Sequence, residues 1–201
     1  MEEATLTGEE AGRPQRRDAR ENREALLAVA KRLFAAQGVE ATSMAEIARE
    51  AGVGQGTLYR HFADKAALCQ GLIGEDLEAF QERVGALLES ASDLPPLERL
   101  GQLLAEKTRL VESHLPLFAT MDLGPHRKGP SPFYAWQHEH ISALLEEAVA
   151  RGELAPLDVP FTAGAILTTV APPFYRHQRE DLGWSNERIV AGLRRMFVEG
   201  L

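Results

Sequence analysis

The stretch from residue 43 to residue 62, SMAEIAREAGVGQGTLYRHF, constrains the fold most. Its helix start and stop signals predict two short helices joined by a tight turn. Ser43 and Glu46 have the S-x-x-E spacing of a capping box, which begins a helix by satisfying its free amide hydrogens. An apolar stripe follows at i, i+3, i+4 and i+7, formed by Met44, Ile47, Ala48 and Ala51. Gly52 comes next, where a helix ends most easily in the left-handed conformation. We therefore predict helices over 44–51 and 55–62.

The second of these helices has one buried side and one polar side. Leu58 and Phe62 lie one turn apart and share a face. The opposite face carries side chains that donate or accept hydrogen bonds, namely Gln55, Thr57, Tyr59, Arg60 and His61. Gly56 costs about 1 kcal/mol relative to alanine inside a helix, and we expect close approach of the backbone to DNA to compensate. The pattern is that of a helix-turn-helix whose second helix fits a major groove. The alternative is an ordinary helical hairpin with a solvated polar face.

The flanking segments extend the pattern to three helices. Before the motif, an apolar stripe of Leu26, Ala30, Leu33 and Phe34 ends at Gly38, and after it Asp64 is a good N-cap. Residues 22–68 resemble the DNA-binding domain of the TetR family of bacterial regulators, through the segments LFAAQGVEATSMAEIAREAGV, GTLYRHF and DKAAL. Gly54 departs from the family, which often has serine as the cap of the recognition helix. The resemblance covers about a quarter of the chain.

Two groups of residues are candidate DNA contacts. Arginine and glutamine side chains bind base edges or phosphates, and a tyrosine hydroxyl binds a phosphate. We expect phosphate contacts from Thr42, Ser43, Tyr59 and Lys65. We expect base or groove contacts from Gln55, Gly56, Thr57, Arg60 and His61.

The charge distribution favours DNA binding although the net charge of the 201 residues is −8. From Arg13 to Lys65 there are ten Lys/Arg and seven Asp/Glu, a local charge of +3, so the remaining residues carry −11. Phosphate binding depends on the local field rather than on the total. The single cysteine, Cys69, excludes an internal disulfide, and neither an apolar run of membrane-spanning length nor a secretory signal pattern is present. We expect a cytoplasmic protein without a membrane partner.

The rest of the chain predicts an all-α fold of about nine helices. Residues 1–18 are polar and aperiodic and are predicted to be a disordered arm. Further helices are expected over 19–37, from Asp64 to about 92, over 97–114, 117–123, 132–151 and 158–179, and from Ser185 onward. Pro116 is expected to end the helix over 97–114, and an irregularity is expected at 172–173 within the helix over 158–179. The sequence SDLPP at 92–96 and the glycine- and proline-rich stretch 124–132 are predicted loops. We assign residues 19–68 to a helix-turn-helix domain, with the motif at 43–62, and 69–201 to a C-terminal effector-binding and dimerisation domain.

The last two helices are candidates for a dimer interface. Small residues that allow close helix packing occur there among apolar ones: Ala163, Gly164, Ala165, Ala191 and Gly192. The resemblance implies that these helices pair with their counterparts in a second copy as a four-helix interface. Symmetric dimers bind palindromic half-sites. The alternative is that these residues complete a monomer core.

The middle helices contain a candidate small-molecule cavity. Apolar walls are mixed with scattered polar groups, as is typical of ligand pockets, in Phe118, Met121, Phe133, Trp136, Gln137, His140, Thr169, Phe174 and Tyr175. The alternative is an aromatic stripe that belongs to the core. His138 and His140 are two residues apart and diverge on a helix, so they do not form a paired metal site. Cys69 is either a packed, inert thiol or a redox or metal sensor.

These features indicate a ligand-responsive, DNA-binding transcriptional regulator. No catalytic motif or phosphate-binding glycine loop is present, so we predict neither enzyme activity nor a cofactor. The resemblance implies a repressor that binds a palindromic operator as a homodimer and is released by an unidentified small molecule. Two alternatives remain: an activator of the same family, and a helical protein-interaction module without DNA binding.

Overall fold

Nine α-helices account for the architecture in the computed structural model, which describes residues 12–120 and 131–200. In chain order they are α1 Gly12–Gln37, α2 Met44–Glu50, α3 Gln55–His61, α4 Lys65–Ser90, α5 Pro96–Phe118, α6 Pro132–Ala150, α7 Val159–Thr169, α8 Pro172–Arg176 and α9 Asn186–Arg194. π-Helical turns follow α8 at His177–Asp181 and α9 at Arg195–Glu199. The described residues contain no strand, so the predicted all-α class is confirmed for them.

The first helix is longer than predicted. α1 begins at Gly12 rather than at residue 19, so residues 12–18 are helical and do not belong to a disordered arm. Pro14 is compatible with this start, because the amide hydrogens of the first helical turn have no intrahelical acceptor and the missing N–H of proline costs nothing there. Residues 1–11 of the predicted arm lie outside the described residues.

Two predicted helix ends in the C-terminal part are corrected. α5 continues through Pro116 to Phe118, because a proline so near the end of a helix removes only one of its last hydrogen bonds. Leu117 and Phe118 therefore belong to α5, and residues 121–123 of the predicted short helix lie outside the described residues. The predicted helix over 158–179 is divided, since Ala171 is extended and Pro172 begins α8. The irregularity predicted at 172–173 is confirmed as a break between α7 and α8.

The chain forms two units, divided within α4 between Leu72 and Ile73. The first unit consists of α1, α2, α3 and the start of α4. Its fully buried side chains come from all four helices: Leu26, Ala30, Ile47, Leu58 and Leu68. Gly71 of α4 packs tightly within this unit, because a β-carbon there would lie 2.9 Å from Phe62 Cε1 and 3.1 Å from Leu27 Cδ2. The first distance is shorter than carbon atoms tolerate, so a side chain at position 71 would displace the Phe62 ring.

The second unit is built around α5. Leu100, Leu103 and Leu104 are buried, and α6, α8 and α9 all contact this helix. Three arginine–glutamate pairs join α5 to its neighbours: Arg99 to Glu147 of α6, Glu112 to Arg179 after α8, and Glu98 to Arg194 of α9. Each pair links residues far apart in sequence, so α5 fixes the helices around it by charge-assisted hydrogen bonds as well as by apolar packing.

Candidate nucleic-acid interface

The turn between α2 and α3 has the geometry that its sequence predicts. Ser43 is the N-cap of α2, and its Oγ accepts a hydrogen bond from the Glu46 amide at 3.1 Å. Gly52 has φ +69°, and the Val53 amide donates to the Ala48 carbonyl at 3.0 Å, which completes the left-handed helix end. The capping box is only half formed, because the Glu46 carboxylate accepts instead from Gln37 Nε2 at 3.0 Å.

The outward face of α3 is polar and its inward face is apolar. Leu58 is fully buried and Phe62, just after the helix, is nearly so, with Arg23 lying 5.3 Å from the Phe62 ring centroid. Gln55, Gly56, Tyr59 and Arg60 are exposed, and Thr57 and His61 are half-buried. Tyr59 has 51% of its surface exposed, which is unusual for a large aromatic side chain packed within one chain. The α3 surface thus presents donors and acceptors together to the exterior.

Arg60 lies along its own helix. Its Nη2 donates to the Thr57 hydroxyl at 2.8 Å, and its Nε donates to the Gly56 carbonyl at 3.3 Å. An exposed arginine that is held at two points samples fewer conformations than a free one. The guanidinium therefore stays over the outward surface of α3.

Glycine at positions 54 and 56 is not required by packing within the protein. A β-carbon at Gly54 or at Gly56 would have no atom within 4 Å, and neither residue has a positive φ. Gly54 is the N-cap of α3 and supplies no side-chain cap. The fold itself therefore leaves room for a side chain at Gly56.

Two of the predicted phosphate contacts are engaged within the protein. Thr42 is fully buried, and its hydroxyl donates to the Gly38 carbonyl at 2.8 Å and accepts from Gln37 Nε2 at 3.1 Å. Its side chain therefore has no surface to offer, which corrects the expectation for Thr42. Lys65 Nζ donates to the carbonyls of Val39 and Glu40 at 2.8 and 3.2 Å. Both residues fix the loop between α1 and α2.

The residues predicted to line a ligand cavity fall into several environments. Phe133, Trp136 and His140 form a row on α6, with ring centroids 6.4 and 4.2 Å apart, and Phe118 lies 6.4 Å from the His114 ring. Gln137 is buried and donates to the Phe133 carbonyl, and the Thr169 hydroxyl donates to the Ile166 carbonyl. Met121 lies outside the described residues. Phe174 is 47% exposed, so it faces outward and is not part of an enclosed wall.

Tyr175 belongs to a buried hydrogen-bond network rather than to an open wall. It is fully buried and its hydroxyl donates to Glu112, which also accepts from Arg179 Nη2 at 2.8 Å and from Arg179 Nε at 2.9 and 3.1 Å. Burial, together with this carboxylate, raises the pKa of Tyr175. The Arg179 guanidinium lowers the pKa of Glu112. The arrangement ties α5 to the end of the α8 segment.

Lys107 of α5 is a buried cation that the sequence analysis did not select. Its side chain is only 6% exposed, and its Nζ lies 5.8 Å from the Phe133 ring centroid. Burial lowers the pKa of Lys107 to about 8. A sequence signal exists, because Lys107 follows Leu100, Leu103 and Leu104 at the same helical spacing and so lies on the apolar stripe of α5.

An apolar groove opens between α6 and α7 on the surface of the second unit. Its volume is about 520 Å³, and it is lined by Tyr134, His138, Pro160, Phe161, Gly164, Ala165 and Thr168. Phe161 is 74% exposed, the largest value among the exposed large apolar side chains of the described residues. Of the small residues singled out for dimerisation, Ala163 is buried in the core, whereas Ala165, Ala191 and Gly192 are exposed.

The remaining candidate residues from the sequence are Cys69, His138 and His140. Cys69 is buried in the first unit. His138 lies against the Pro160 carbonyl at 3.0 Å, and His140 against the Trp136 carbonyl at 2.8 Å. Over residues 12–120 and 131–200, no three His, Cys, Asp or Glu side chains converge on a possible metal position. None of the helices described is long and apolar enough to cross a membrane.

The sequence of the chain matches a family model and the sequences of known relatives over its N-terminal part. The model of the family described as "Bacterial regulatory proteins, tetR family" matches residues 26–72. An HTH-type transcriptional regulator of Staphylococcus aureus (strain USA300) is 52% identical over 65 residues, which are 32% of this chain. The match covers 35% of the length of that relative.

Solved structures match over most of the chain. A transcriptional regulator of the TetR/AcrR family from Thermobifida fusca is 26% identical, with a TM-score of 0.67, and the match covers 90% of this chain and 98% of that one. The regulator FadR from Bacillus subtilis, solved in complex with stearoyl-CoA, is 19% identical with a TM-score of 0.64 and coverages of 89% and 98%. The second match shows that the two proteins share a fold.

Proposed function

We propose that this chain, which belongs to the TetR family of bacterial regulatory proteins, is a dimeric transcriptional regulator that binds operator DNA through α3 and a small molecule through its C-terminal unit. The observation that carries the proposal is the outward surface of α3. There Gln55, Tyr59 and Arg60 are exposed beside a glycine that the protein's own packing does not require. A duplex laid against this surface explains both features.

The contacts that we propose divide by type. Gln55 and Arg60 would bind base edges in the major groove, where bidentate side chains distinguish base pairs. Ser43, at the N-terminus of α2, and Tyr59 would bind phosphates, and Gly56 would let the backbone approach. Lys65 would fix the loop between α1 and α2 and add its positive charge to the phosphate contacts. His61 and Thr57 lie at the edge of the same surface.

A second copy of the chain would bind through the groove between α6 and α7. Phe161 exposes an apolar ring that water does not favour, and the adjacent Gly164, Ala165 and Thr168 are small enough for a helix of the partner to approach. A two-fold dimer carries two copies of α3, so we expect an operator with two inverted half-sites. The interface would centre on α7, with exposed residues of α9 at its side.

The sign of regulation that we propose is repression, relieved when a small molecule binds the second unit. The relief requires only that the ligand bind one conformation more tightly than the other. FadR of Bacillus subtilis was solved with stearoyl-CoA, which supports a ligand in this fold. Such a regulator would act in the cytoplasm, on the chromosome.

A footprint on the DNA upstream of the protein's own coding sequence tests the proposal. We expect protection of a sequence with inverted half-sites by the wild-type chain. The double variant Gln55→Ala/Arg60→Ala should lose the protection while retaining its helical content, because both side chains are exposed. A wild-type protein that protects no upstream sequence even at low salt would contradict DNA binding and leave the interaction-module alternative. Transcription in vitro from the same fragment distinguishes repression from activation.

A further inference from the structure

The interior of the second unit contains a positive charge that the proposed DNA binding does not use. Lys107 lies on the buried face of α5 with Leu103, Leu104 and Val111, and its ammonium faces the Phe133 ring at 5.8 Å. Lysine is almost never this buried without a counter-charge. The position therefore needs an explanation in terms of a binding partner.

The acidic side chains of α5 do not supply that counter-charge. Glu98 pairs with Arg194, Glu106 with Arg109, and Glu112 with Arg179. Within residues 12–120 and 131–200, no carboxylate forms an ion pair with Lys107. Burial lowers the pKa of Lys107 to about 8, so most molecules still carry the ammonium at neutral pH. The free protein thus bears the cost of an unneutralised interior charge.

An aromatic wall stands beside this ammonium. The rings of Phe133 and Trp136 are nearly parallel, with an angle of 9° between them, and Phe80 packs edge-on against both at 5.6 and 6.0 Å. Phe80 is fully buried, whereas Phe133 and Trp136 are only partly buried. The wall therefore keeps apolar surface that another molecule can cover.

A polar group on the same wall also lacks a partner. Gln137 lies one turn after Phe133 and is 2% exposed. Its Nε2 donates to the Phe133 carbonyl, but its Oε1 has no hydrogen-bond partner among the residues described. A buried amide oxygen without a donor is costly, so this position would accept an N–H or O–H from a bound molecule, which the carboxylate group itself does not supply.

We propose that the effector of this protein is a small organic carboxylate with an apolar body, whose carboxylate binds Lys107 Nζ and whose body packs on Phe133 and Trp136. The inference rests on the proposed role of the second unit as an effector-binding domain and names the chemistry of the effector. A neutral apolar ligand would leave the interior ammonium as unpaired as before, whereas a carboxylate neutralises it through a charge-assisted hydrogen bond.

Matched pairs of probes that differ only in charge test this chemistry: octanoate with octanamide, and 2-naphthoate with 2-naphthamide. The chain has two tryptophans, so Trp184→Phe leaves Trp136 as the only tryptophan reporter. We expect saturable changes in Trp136 fluorescence, with each carboxylate binding at least about tenfold more tightly than its amide. Equal binding of acid and amide, or binding of none of the four probes, would overturn the proposal.

Substitution of the lysine gives the second arm. In the Trp184→Phe background, Lys107→Met should abolish the preference for the carboxylates, so that acid and amide bind alike. The matched control Lys31→Met, on the exposed face of α1, should keep the preference. A preference that persists in Lys107→Met would also overturn the assignment.

Operator binding, measured on the same proteins, separates this inference from the proposed function. Lys107→Met is expected to bind operator as the wild-type chain does, but to be insensitive to the carboxylates. Loss of the carboxylate preference with operator binding intact is therefore the supporting result. Absence of operator binding in the wild-type chain counts against the proposed function alone.

Discussion

The guanidinium of Arg60 donates a hydrogen bond of 2.8 Å to the hydroxyl of Thr57, three residues earlier on α3. With the second bond, from Nε to the Gly56 carbonyl, this contact fixes an exposed arginine before any partner arrives. A side chain that is already ordered loses less conformational entropy on binding. We infer that Thr57 positions Arg60, in addition to any contact of its own with DNA.

Arg60→Ala is expected to weaken operator binding by roughly 1 to 3 kcal/mol, because it would remove the proposed bidentate base contact. Thr57→Val keeps the shape of the side chain but removes the hydroxyl, and should cost about 0.5 to 1.5 kcal/mol. Titrations at one fixed salt concentration measure both values. Arg83→Ala, an exposed site on α4, is the control and should bind normally. Normal binding by Arg60→Ala would remove that residue from the interface.

Gly56→Ala should affect folding and DNA binding in opposite directions. Alanine stabilises a helix interior by about 0.5 to 1 kcal/mol relative to glycine, and the fold leaves space for the methyl group. Close approach to DNA would be blocked, so we expect operator affinity to fall at least about tenfold. Urea denaturation and a binding titration measure the two effects. Gly85→Ala on α4 also has space and should gain stability with unchanged affinity; equal affinities for both variants would refute the close approach.

Lys65→Ala should destabilise the first unit by about 1 to 2 kcal/mol, because the carbonyls of Val39 and Glu40 lose their donor. Because the substitution also removes a proposed phosphate contact, the slope of log K against log salt should fall by about 1 with sequence preference kept. Thermal melts and titrations over a salt series give these values. Lys31→Ala, on an exposed lysine, should change neither. An unaltered melting temperature for Lys65→Ala would show that these contacts contribute little.

Phe161→Glu is expected to convert the proposed dimer to a monomer. The ring is exposed within one chain, so its replacement should change the stability of the monomer by no more than about 0.5 kcal/mol, whereas a buried carboxylate in the interface is strongly unfavourable. Sedimentation equilibrium measures the dissociation constant. Leu94→Glu, an exposed apolar residue in the turn after α4, should remain dimeric. If Phe161→Glu assembles as tightly as the wild-type chain, the interface lies elsewhere.

Lys107→Met should make the protein more stable at neutral pH. The pKa of Lys107 is about 8 in the folded chain and has its ordinary value of 10.5 in the unfolded chain. Between these values the unfolded chain holds a proton that the folded chain has released, so wild-type stability rises with pH from about 8 to 10.5. Below pH 8 the Lys107 side chain is protonated in both the folded and the unfolded chain. The folded protein then carries the full cost of burying the ammonium, on the order of 3 kcal/mol.

Denaturation of the wild-type chain and of Lys107→Met between pH 7 and pH 10.5 measures the difference in their free energies of unfolding. The gain from the substitution should be largest at pH 7 and should shrink as the pH approaches 10.5. A difference that does not vary with pH would show that the ammonium is not desolvated in the folded state. Lys31→Met, which lies in water in both states, should give no difference at either pH.

The residues that begin and end the helices could be predicted from the sequence. Ser43, Asp64, Asp158 and Ser185 accept backbone hydrogen bonds at helix starts, and Gly38, Gly52 and Gly152 have positive φ at helix ends. These features depend on a few neighbouring residues, so their chemistry is visible in a short window. The division between an apolar and a polar side of α3 is of the same kind.

Features set by residues distant in sequence could not be predicted in this way. Thr42 is buried because Gln37 and Gly38 provide its hydrogen bonds, and a threonine before a helix start gives no hint of that. The isolation of Lys107 depends on three glutamates of α5 that pair with arginines, two of which lie on other elements. Pro116 is tolerated inside α5 because the helix ends two residues later, at Phe118. Local propensity does not determine where a helix of this length ends.

The tight packing at Gly71 limits how this protein can be recombined with its relatives. A chimera that joins this DNA-binding unit to the effector unit of another regulator must place its junction after residue 71. An earlier junction imports the donor's residue at that position, and any side chain there would push against Phe62, directly behind α3. Redesigned sensors that keep the first 72 residues intact should therefore retain operator specificity, whereas those joined a few residues earlier should lose it.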